Sequence, residues 1–210
     1  INAPGDTDTF EALNVPIYFF SFGSVGDILT SIETMGQLLG TEAAAADSAA
    51  ALQSSLDALR ARTGSLPDAE RPRVLVLVGD DTLYSFGRGS YVHTLVRAAG
   101  GTSITADIEN QAPTLSDEYV LQEKPDVILG LWGRDYDPDR LLDLHPTWDV
   151  VPAVQNDRVL SLPTSLIARP GPRVLQGARR LARYLHPDRV SAPSDSTGPL
   201  SSSMSSPAAP

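Results

Sequence analysis

Short apolar runs alternate with amphipathic stretches along most of this chain. The runs 74–78 and 127–131 are continuous and rich in Val, Ile and Leu, which is typical of strands covered on both faces. A third strand is predicted over 158–162. Strands that alternate with helices build a parallel or mixed sheet between two helical layers. We therefore predict a three-layer, Rossmann-like α/β lobe with a mostly parallel sheet.

Apolar residues at helical spacing, together with capping residues, predict the helices of this lobe. Ser90 begins a helix that stops at Gly100, and Ser116 begins another that Pro125 ends. Pro172 stands where the first turn of a last helix should be, because proline is favoured at that position.

The chain before this lobe has a different pattern. Residues 15–20 form a short aromatic and apolar run that predicts a buried strand. Ser24 can cap a following helix, which Gly40 ends. The Ala-rich stretch 41–62 predicts a helix about 30 Å long with one narrow apolar stripe. Such a helix is suited to lie along a domain as a strut.

Composition removes several classes of function. The 210 residues carry a formal net charge of −10 and include no cysteine. A negative chain repels phosphate backbones, which argues against a nucleic-acid partner, and thiol chemistry is excluded. No apolar stretch approaches the ~20 residues of a membrane span. Residues 191–210 are rich in Ser, Pro, Ala and Gly, which predicts a disordered tail.

Some residues could support catalysis. Ser24 follows a strand and opens a helix, but Phe22 stands where a nucleophile elbow needs glycine, which favours a capping role. Asp80 and Asp81 follow the strand 74–78, where α/β enzymes place acidic groups. The loop 87–90 could cradle a phosphate with its backbone N–H groups, or could be an ordinary turn before a capped helix.

The histidines do not predict a metal site, because no pair has the spacing of two ligands on one helix face. They are His93, His145 and His186.

Aromatic and cationic side chains follow all three predicted strands. The carboxyl ends of parallel strands meet at one edge of a sheet, where ligands bind in open α/β folds. An apolar wall with a few polar groups suits a bulky organic ligand, although the same side chains could simply pack over the loops. The candidate ligand-binding residues are Tyr84, Phe86, Arg88, Trp132, Arg134, Tyr136, Thr164 and Arg169.

Several segments together resemble a known family. Residues 87–101 are similar to the first helix of the C-terminal lobe in class III periplasmic binding proteins, which serve ABC importers for cobalamin, haem and ferric siderophores. Residues 114–129 resemble the helix–strand unit that follows in that family. The most specific similarity is in 169–187, which resembles cobalamin-binding members more than haem-binding ones. Upstream, 10–17 and 36–40 resemble the end of the family's first lobe.

The resemblance implies a domain organisation. Residues 1–40 would be the end, or remnant, of an N-terminal lobe, 41–62 the interlobe helix, 63–190 the C-terminal lobe and 191–210 the tail. The chain lacks a starting Met and a signal peptide, so we expect an N-terminally truncated piece of an exported protein. Its location would be the periplasm or, as a lipoprotein, the cell surface.

The resemblance also implies a function. We expect a non-enzymatic, substrate-binding component that holds a bulky metal chelate between two lobes and delivers it to an ABC permease. The missing N-terminal lobe would be one partner and the permease another, and Glu109 is the candidate docking residue. No cofactor of its own is expected, since any metal would belong to the chelate.

Two alternatives remain open at the sequence level. One is a small phosphate-handling α/β enzyme that uses Asp80 or Asp81 with the loop 87–90. The other is an inactive, truncated lobe. The sequence does not choose among cobalamin, haem and siderophore as the ligand.

Overall fold

A four-stranded sheet forms the centre of the molecule. The computed structural model describes residues 10, 13–14, 16–133, 136–137 and 139–190. The strands lie in the order β2-β1-β3-β4, and every pair of neighbours is parallel. This arrangement confirms the predicted sheet. The strands are β1 (Arg73–Leu77), β2 (Thr102–Ser103), β3 (Val127–Gly130) and β4 (Val159–Ser161).

Helices precede the sheet and connect its strands. Short 3₁₀ turns at Asp68–Glu70, Pro146–Val150 and Thr164–Leu166 join some of these elements. The helices are α1 (Val25–Leu39), α2 (Glu42–Thr63), α3 (Tyr91–Ala98), α4 (Asp117–Glu123), α5 (Asp139–Leu144), α6 (Pro152–Gln155) and α7 (Val174–Leu185). None of the described helices combines the length and apolar character that a bilayer crossing requires.

The sheet separates two hydrophobic cores, which explains the unbroken apolar run of β1. Val74 and Val76 contribute to the core beneath α1, α2, α3 and α7. Leu75 and Leu77 point to the other face and join a core around the fully buried Trp148. Because successive residues of a strand face opposite ways, a strand with helices on both sides needs apolar residues at every position.

Helices α1 and α2 form a hairpin against the first core. Ser24 accepts a hydrogen bond from Asp27 N, and the Asp27 carboxylate accepts one from Ser24 N, so the predicted cap is confirmed. Gly36 lets the two helices approach closely, since a Cβ there would lie 2.3 Å from Ala45 Cβ. Gly40 then ends α1 in the left-handed conformation, at φ 66°.

The carboxyl ends of α2 and α3 meet at a buried arginine. Arg71 is 7% exposed. It donates to the carbonyl of Thr63 at 3.1 Å and to that of Arg97 at 3.3 Å. The Thr63 hydroxyl donates in turn to the carbonyl of Ala98 at 2.9 Å. These bonds satisfy carbonyls that a helix end leaves without partners, and they attach the long helix α2 firmly to α3.

Two expectations from the sequence need correction. The predicted strand over 15–20 is wrong for its described part, because 16–22 pairs with no described strand and Ile17, Tyr18 and Phe19 are exposed. A strand requires a neighbour to receive its backbone hydrogen bonds. The last helix begins at Val174, so Pro172 precedes the helix and does not lie in its first turn.

The division into lobe remnant, interlobe helix and C-terminal lobe stays a prediction. The predicted tail 191–210 lies outside the described residues.

We expect Arg71→Met to lower the free energy of unfolding by about 3 kcal/mol, because two buried carbonyls lose charged donors. Urea denaturation of the variant and the wild type measures this difference. Arg62→Met, at an exposed position in the last turn of α2, is the control and should change stability little. An equal loss in both variants would contradict the role assigned to Arg71.

Candidate ligand-binding site

Hydrogen bonds join the segments that follow β3 and β4. Leu162 N donates to Gly130 O at 2.9 Å, and Gly133 N donates to Leu162 O at 3.3 Å. The Thr164 hydroxyl donates to the carbonyl of Leu131 at 2.7 Å. The structure therefore brings the predicted site residues Trp132 and Thr164 to the same edge of the sheet.

Trp132 lies over the end of β3. Its ring covers Gly130, where a Cβ would be only 2.1 Å from the ring atom Cε3, so a side chain at this position would displace the indole. The ring of Tyr136 packs against it, with centroids 4.1 Å apart and planes tilted by 36°. Aromatic pairs of this geometry present a continuous apolar surface.

Two polar atoms of this aromatic pair lie beneath the surface. Trp132 Nε1 and the Tyr136 hydroxyl are both buried and make no hydrogen bond with the described residues. Burial, together with the negative charge of nearby Asp80, raises the pKa of Tyr136 to about 12, so its phenol keeps the proton. Both groups carry a proton to donate, but both atoms are covered, so a ligand with acceptor oxygens would reach them only after the two rings move.

The loop after β1 is held to α5 through Asp80. The Asp80 carboxylate accepts a hydrogen bond from Arg140 Nε at 2.6 Å, and its backbone carbonyl lies 2.7 Å from His145 Nε2. The Arg140 guanidinium holds the pKa of Asp80 below its usual value. Asp80 is therefore an ionised structural partner beside Tyr136, and its lowered pKa and its bond with Arg140 make it a weak general base.

The loop 83–88 pairs with the segment 108–115 as an irregular ribbon. Tyr84 forms an antiparallel bridge with Thr114. Gly87 N donates to Gln111 O at 3.0 Å, and Arg88 N donates to Ile108 O at 2.7 Å. With Ser90 N bonded to Gly87 O, three of the four backbone N–H groups that a phosphate cradle would need are already used. The geometry favours the turn before a capped helix, and Ser90 is indeed the N-cap of α3.

The remaining candidates differ in their exposure and in the partners that they have. Phe86 is half-buried against the first core. Arg88 pairs with Glu109 at 3.4 Å, so the predicted ligand contact and the predicted docking residue bind each other. Tyr84 is exposed, and so is Arg169. Arg134 lies outside the described residues.

The histidines have structural partners. The Nε2 atoms of His93, His145 and His186 lie within hydrogen-bond distance of the carbonyls of Gly87, Asp80 and Gly100. Burial lowers the pKa of His93. Among the described residues, no group of three potential metal ligands comes together.

Sequence reasoning missed Arg140 and the helix that carries it. A signal was present, because Asp137 precedes a proline and is followed by Asp139, Leu141 and Leu142, a pattern that favours a helix start. The Asp137 carboxylate accepts a hydrogen bond from Asp139 N at 3.1 Å. The pairing of Arg140 with Asp80, 60 residues away, could not be read from local pattern.

Comparison with known proteins identifies the family. A model of the family described as periplasmic binding protein matches residues 3–166. The chain belongs to this family. The cobalamin-binding protein of Halobacterium salinarum is 29% identical over 170 residues, which cover 78% of this chain and 45% of that protein. An uncharacterised ABC transporter substrate-binding lipoprotein of Bacillus subtilis is 24% identical over 79% of this chain and 52% of its own length.

A solved structure shares the fold. The periplasmic haem-binding protein RhuT from Roseiflexus sp. RS-1 has a TM-score of 0.72 and 25% identity, over 89% of this chain and 72% of that one. The chain spans about half the length of the curated relatives it matches. Members of this family are solute-binding proteins and not enzymes, which confirms the family predicted from the sequence and disfavours the enzyme alternative.

We expect Asp80→Asn to lower stability slightly at neutral pH. The folded-state pKa of Asp80 is below the unfolded one, so its contact with Arg140 stabilises the fold above about pH 4 and is lost as pH falls through the folded-state pKa. The urea midpoints of wild type and variant should differ at pH 7 and converge in acid. Asp81→Asn is the matched control, and a difference that is independent of pH would contradict this role.

Proposed function

We propose that this chain is part of a substrate-binding component of an ABC importer, and that it binds a bulky metal chelate between two lobes. The observation that carries the proposal is the Trp132–Tyr136 pair at the carboxyl end of β3. Family membership and a relative named for cobalamin support it. The ligand class is cobalamin, haem or a ferric siderophore, and the metal arrives with the ligand.

The chemistry of the site suits such a chelate. A planar ring system can lie against the aromatic pair, and a rotation of the two rings would expose Trp132 Nε1 and the Tyr136 hydroxyl to acceptor oxygens on its edge. Cobalamin amides, haem propionates and siderophore carbonyls all provide such oxygens. The exposed Arg169 is available for a carboxylate, which a guanidinium meets with two parallel hydrogen bonds.

A first lobe would complete the binding site. Apolar side chains of 16–39 that face away from the described core form what we term the N-terminal apolar face. A monomeric protein rarely leaves such a surface open, and a preceding lobe would cover it. In this proposal 1–40 is the end of that lobe and 41–62 connects the two. The face consists of Ile17, Tyr18, Phe19, Met35, Leu38 and Leu39, which are 37–74% exposed.

The proposed location and partner follow from the relatives. One relative is described as an ABC transporter substrate-binding lipoprotein, and one solved structure as a periplasmic haem-binding protein. We therefore propose the periplasm or the cell surface as the location and an ABC permease as the partner. Glu109 remains the candidate docking residue. Its side chain is 87% exposed, and its contact with Arg88 would be exchanged for one with the permease.

Tryptophan fluorescence tests ligand binding, because the chain has only two tryptophans. Trp132 lies at the site, whereas Trp148 is fully buried in the second core. We expect cyanocobalamin, haemin or a ferric hydroxamate siderophore to quench the emission saturably. Because these coloured ligands quench by energy transfer over a distance, the dissociation constant is the readout: Trp132→Phe should weaken binding, and Trp148→Phe should leave it unchanged.

Free tryptophan at equal absorbance corrects for light absorbed by the coloured ligands. The absence of saturable quenching by all three ligands, in this chain and in a longer form with a first lobe, would reject the ligand assignment.

Self-association tests the N-terminal apolar face. We expect this chain to associate in solution and a longer form with a first lobe to stay monomeric. Leu38→Ser with Leu39→Ser should weaken the association at least tenfold, since each buried Leu contributes about 1.5–3 kcal/mol. Sedimentation velocity measures this. A monomeric chain at high concentration would contradict the need for a covering lobe.

A further inference from the structure

The last helix carries a row of arginines on the side opposite to the core. At 100° per residue, Arg173, Arg179, Arg180 and Arg183 fall within an arc of about 120°. The buried residues of α7, such as Leu175, lie on the opposite arc. We call these four residues the arginine face; it extends over about 15 Å along the helix axis, at 1.5 Å per residue.

The arginine face has no acidic partner among the described residues. Other arginines of the chain do pair, as Arg97 does with Asp68 at 2.8 Å and Arg140 with Asp80 at 2.6 Å. None of the four guanidinium groups of the arginine face makes such a contact within the part of the chain that the structure describes. Arg173 and Arg179 are exposed, whereas Arg180 and Arg183 are half-buried and the Nε atom of Arg183 is covered.

Positive charge is concentrated in this part of an otherwise acidic chain. The segment 169–190 has six arginines and one acidic residue, whereas the whole chain has a net charge of −10. The Debye length is about 8 Å at physiological salt, which is less than the ~10–12 Å diameter of one helix. A surface that approaches α7 therefore interacts mainly with the arginines, because the acidic groups beyond the helix are screened.

The helix offers no apolar anchor to a protein partner. Its aliphatic side chains, including Val174, Leu181 and Leu185, are buried in the core. Tyr184 is half-buried against the same core, and its hydroxyl donates to the carbonyl of Asp157 at 3.3 Å. Stable protein interfaces depend on buried apolar or aromatic anchors, which this convex row lacks. A layer of phosphate groups needs no such anchor, and guanidinium groups bind phosphate with paired hydrogen bonds.

We propose that the arginine face binds the anionic phospholipid surface of the membrane. This inference depends on the proposed function, which places the protein beside a membrane that holds its permease. Each arginine near an anionic bilayer contributes about 1 kcal/mol. The face would keep the protein at the membrane and restrict the orientations in which it meets the permease.

Vesicle co-sedimentation tests the proposal without any transported ligand, so its outcome is independent of the ligand assignment. The whole chain is mixed with vesicles of phosphatidylcholine alone or of phosphatidylcholine with phosphatidylglycerol. We expect binding that requires phosphatidylglycerol and decreases between 50 and about 500 mM salt. Arg179→Gln with Arg183→Gln should weaken binding about 30-fold, because each arginine contributes about 1 kcal/mol to membrane binding. The matched control, Arg60→Gln with Arg62→Gln, should bind as the wild type does.

Several results would overturn the proposal: no preference for phosphatidylglycerol, an equal loss in the control, or tighter binding to a soluble polyglutamate peptide than to vesicles. The last result would assign the face to an acidic protein. Thermal melts establish that each variant is folded. If the double variant unfolds, Arg179→Gln alone should weaken binding about fivefold, and Arg179→Lys should retain it.

Discussion

The parallel pairing of β1 with β3 is the contact on which the rest of the structure depends. The side chains of β1 alternate between the two cores on the two faces of the sheet. The pairing continues past the strands through the hydrogen bond from Leu131 N to Leu77 O, at 2.8 Å. The loops after β1 and β3 therefore start side by side. Asp80 and Arg140 can meet across them, and Trp132 and Tyr136 stand at the same edge. A parallel sheet places its loops in this way because all its strands end on one side.

The molecule also presents two surfaces that its own described residues do not complete. The N-terminal apolar face is the kind of surface that another folded unit covers, and its position before the long helix agrees with a protein of two lobes. The arginine face is polar, convex and positively charged. Hydrophobic burial would bring a lobe onto the N-terminal apolar face. Electrostatic attraction would bring the arginine face to a membrane.

Elements with a strong local signal were predicted well. The strands β1 and β3, the caps Ser24 and Ser116, and the long helix α2 lie within one or two residues of their predicted bounds. The exception is instructive, because 16–22 has the composition of a strand but no described neighbour to pair with. Helix α5 was missed although Asp137 and the leucines after it gave a signal.

The sequence by itself determined the fold class, because apolar periodicity and capping act over a few residues, and the order of its motifs carried the family resemblance. Ligand binding at the carboxyl edge of the sheet stays a prediction. The tertiary structure decided which candidates meet. In the structure Trp132 packs against Tyr136, and Asp80 pairs with Arg140. The N–H groups of Gly87 and Arg88 donate to the segment 108–115. Such choices depend on contacts between residues far apart in the chain, which no local pattern encodes.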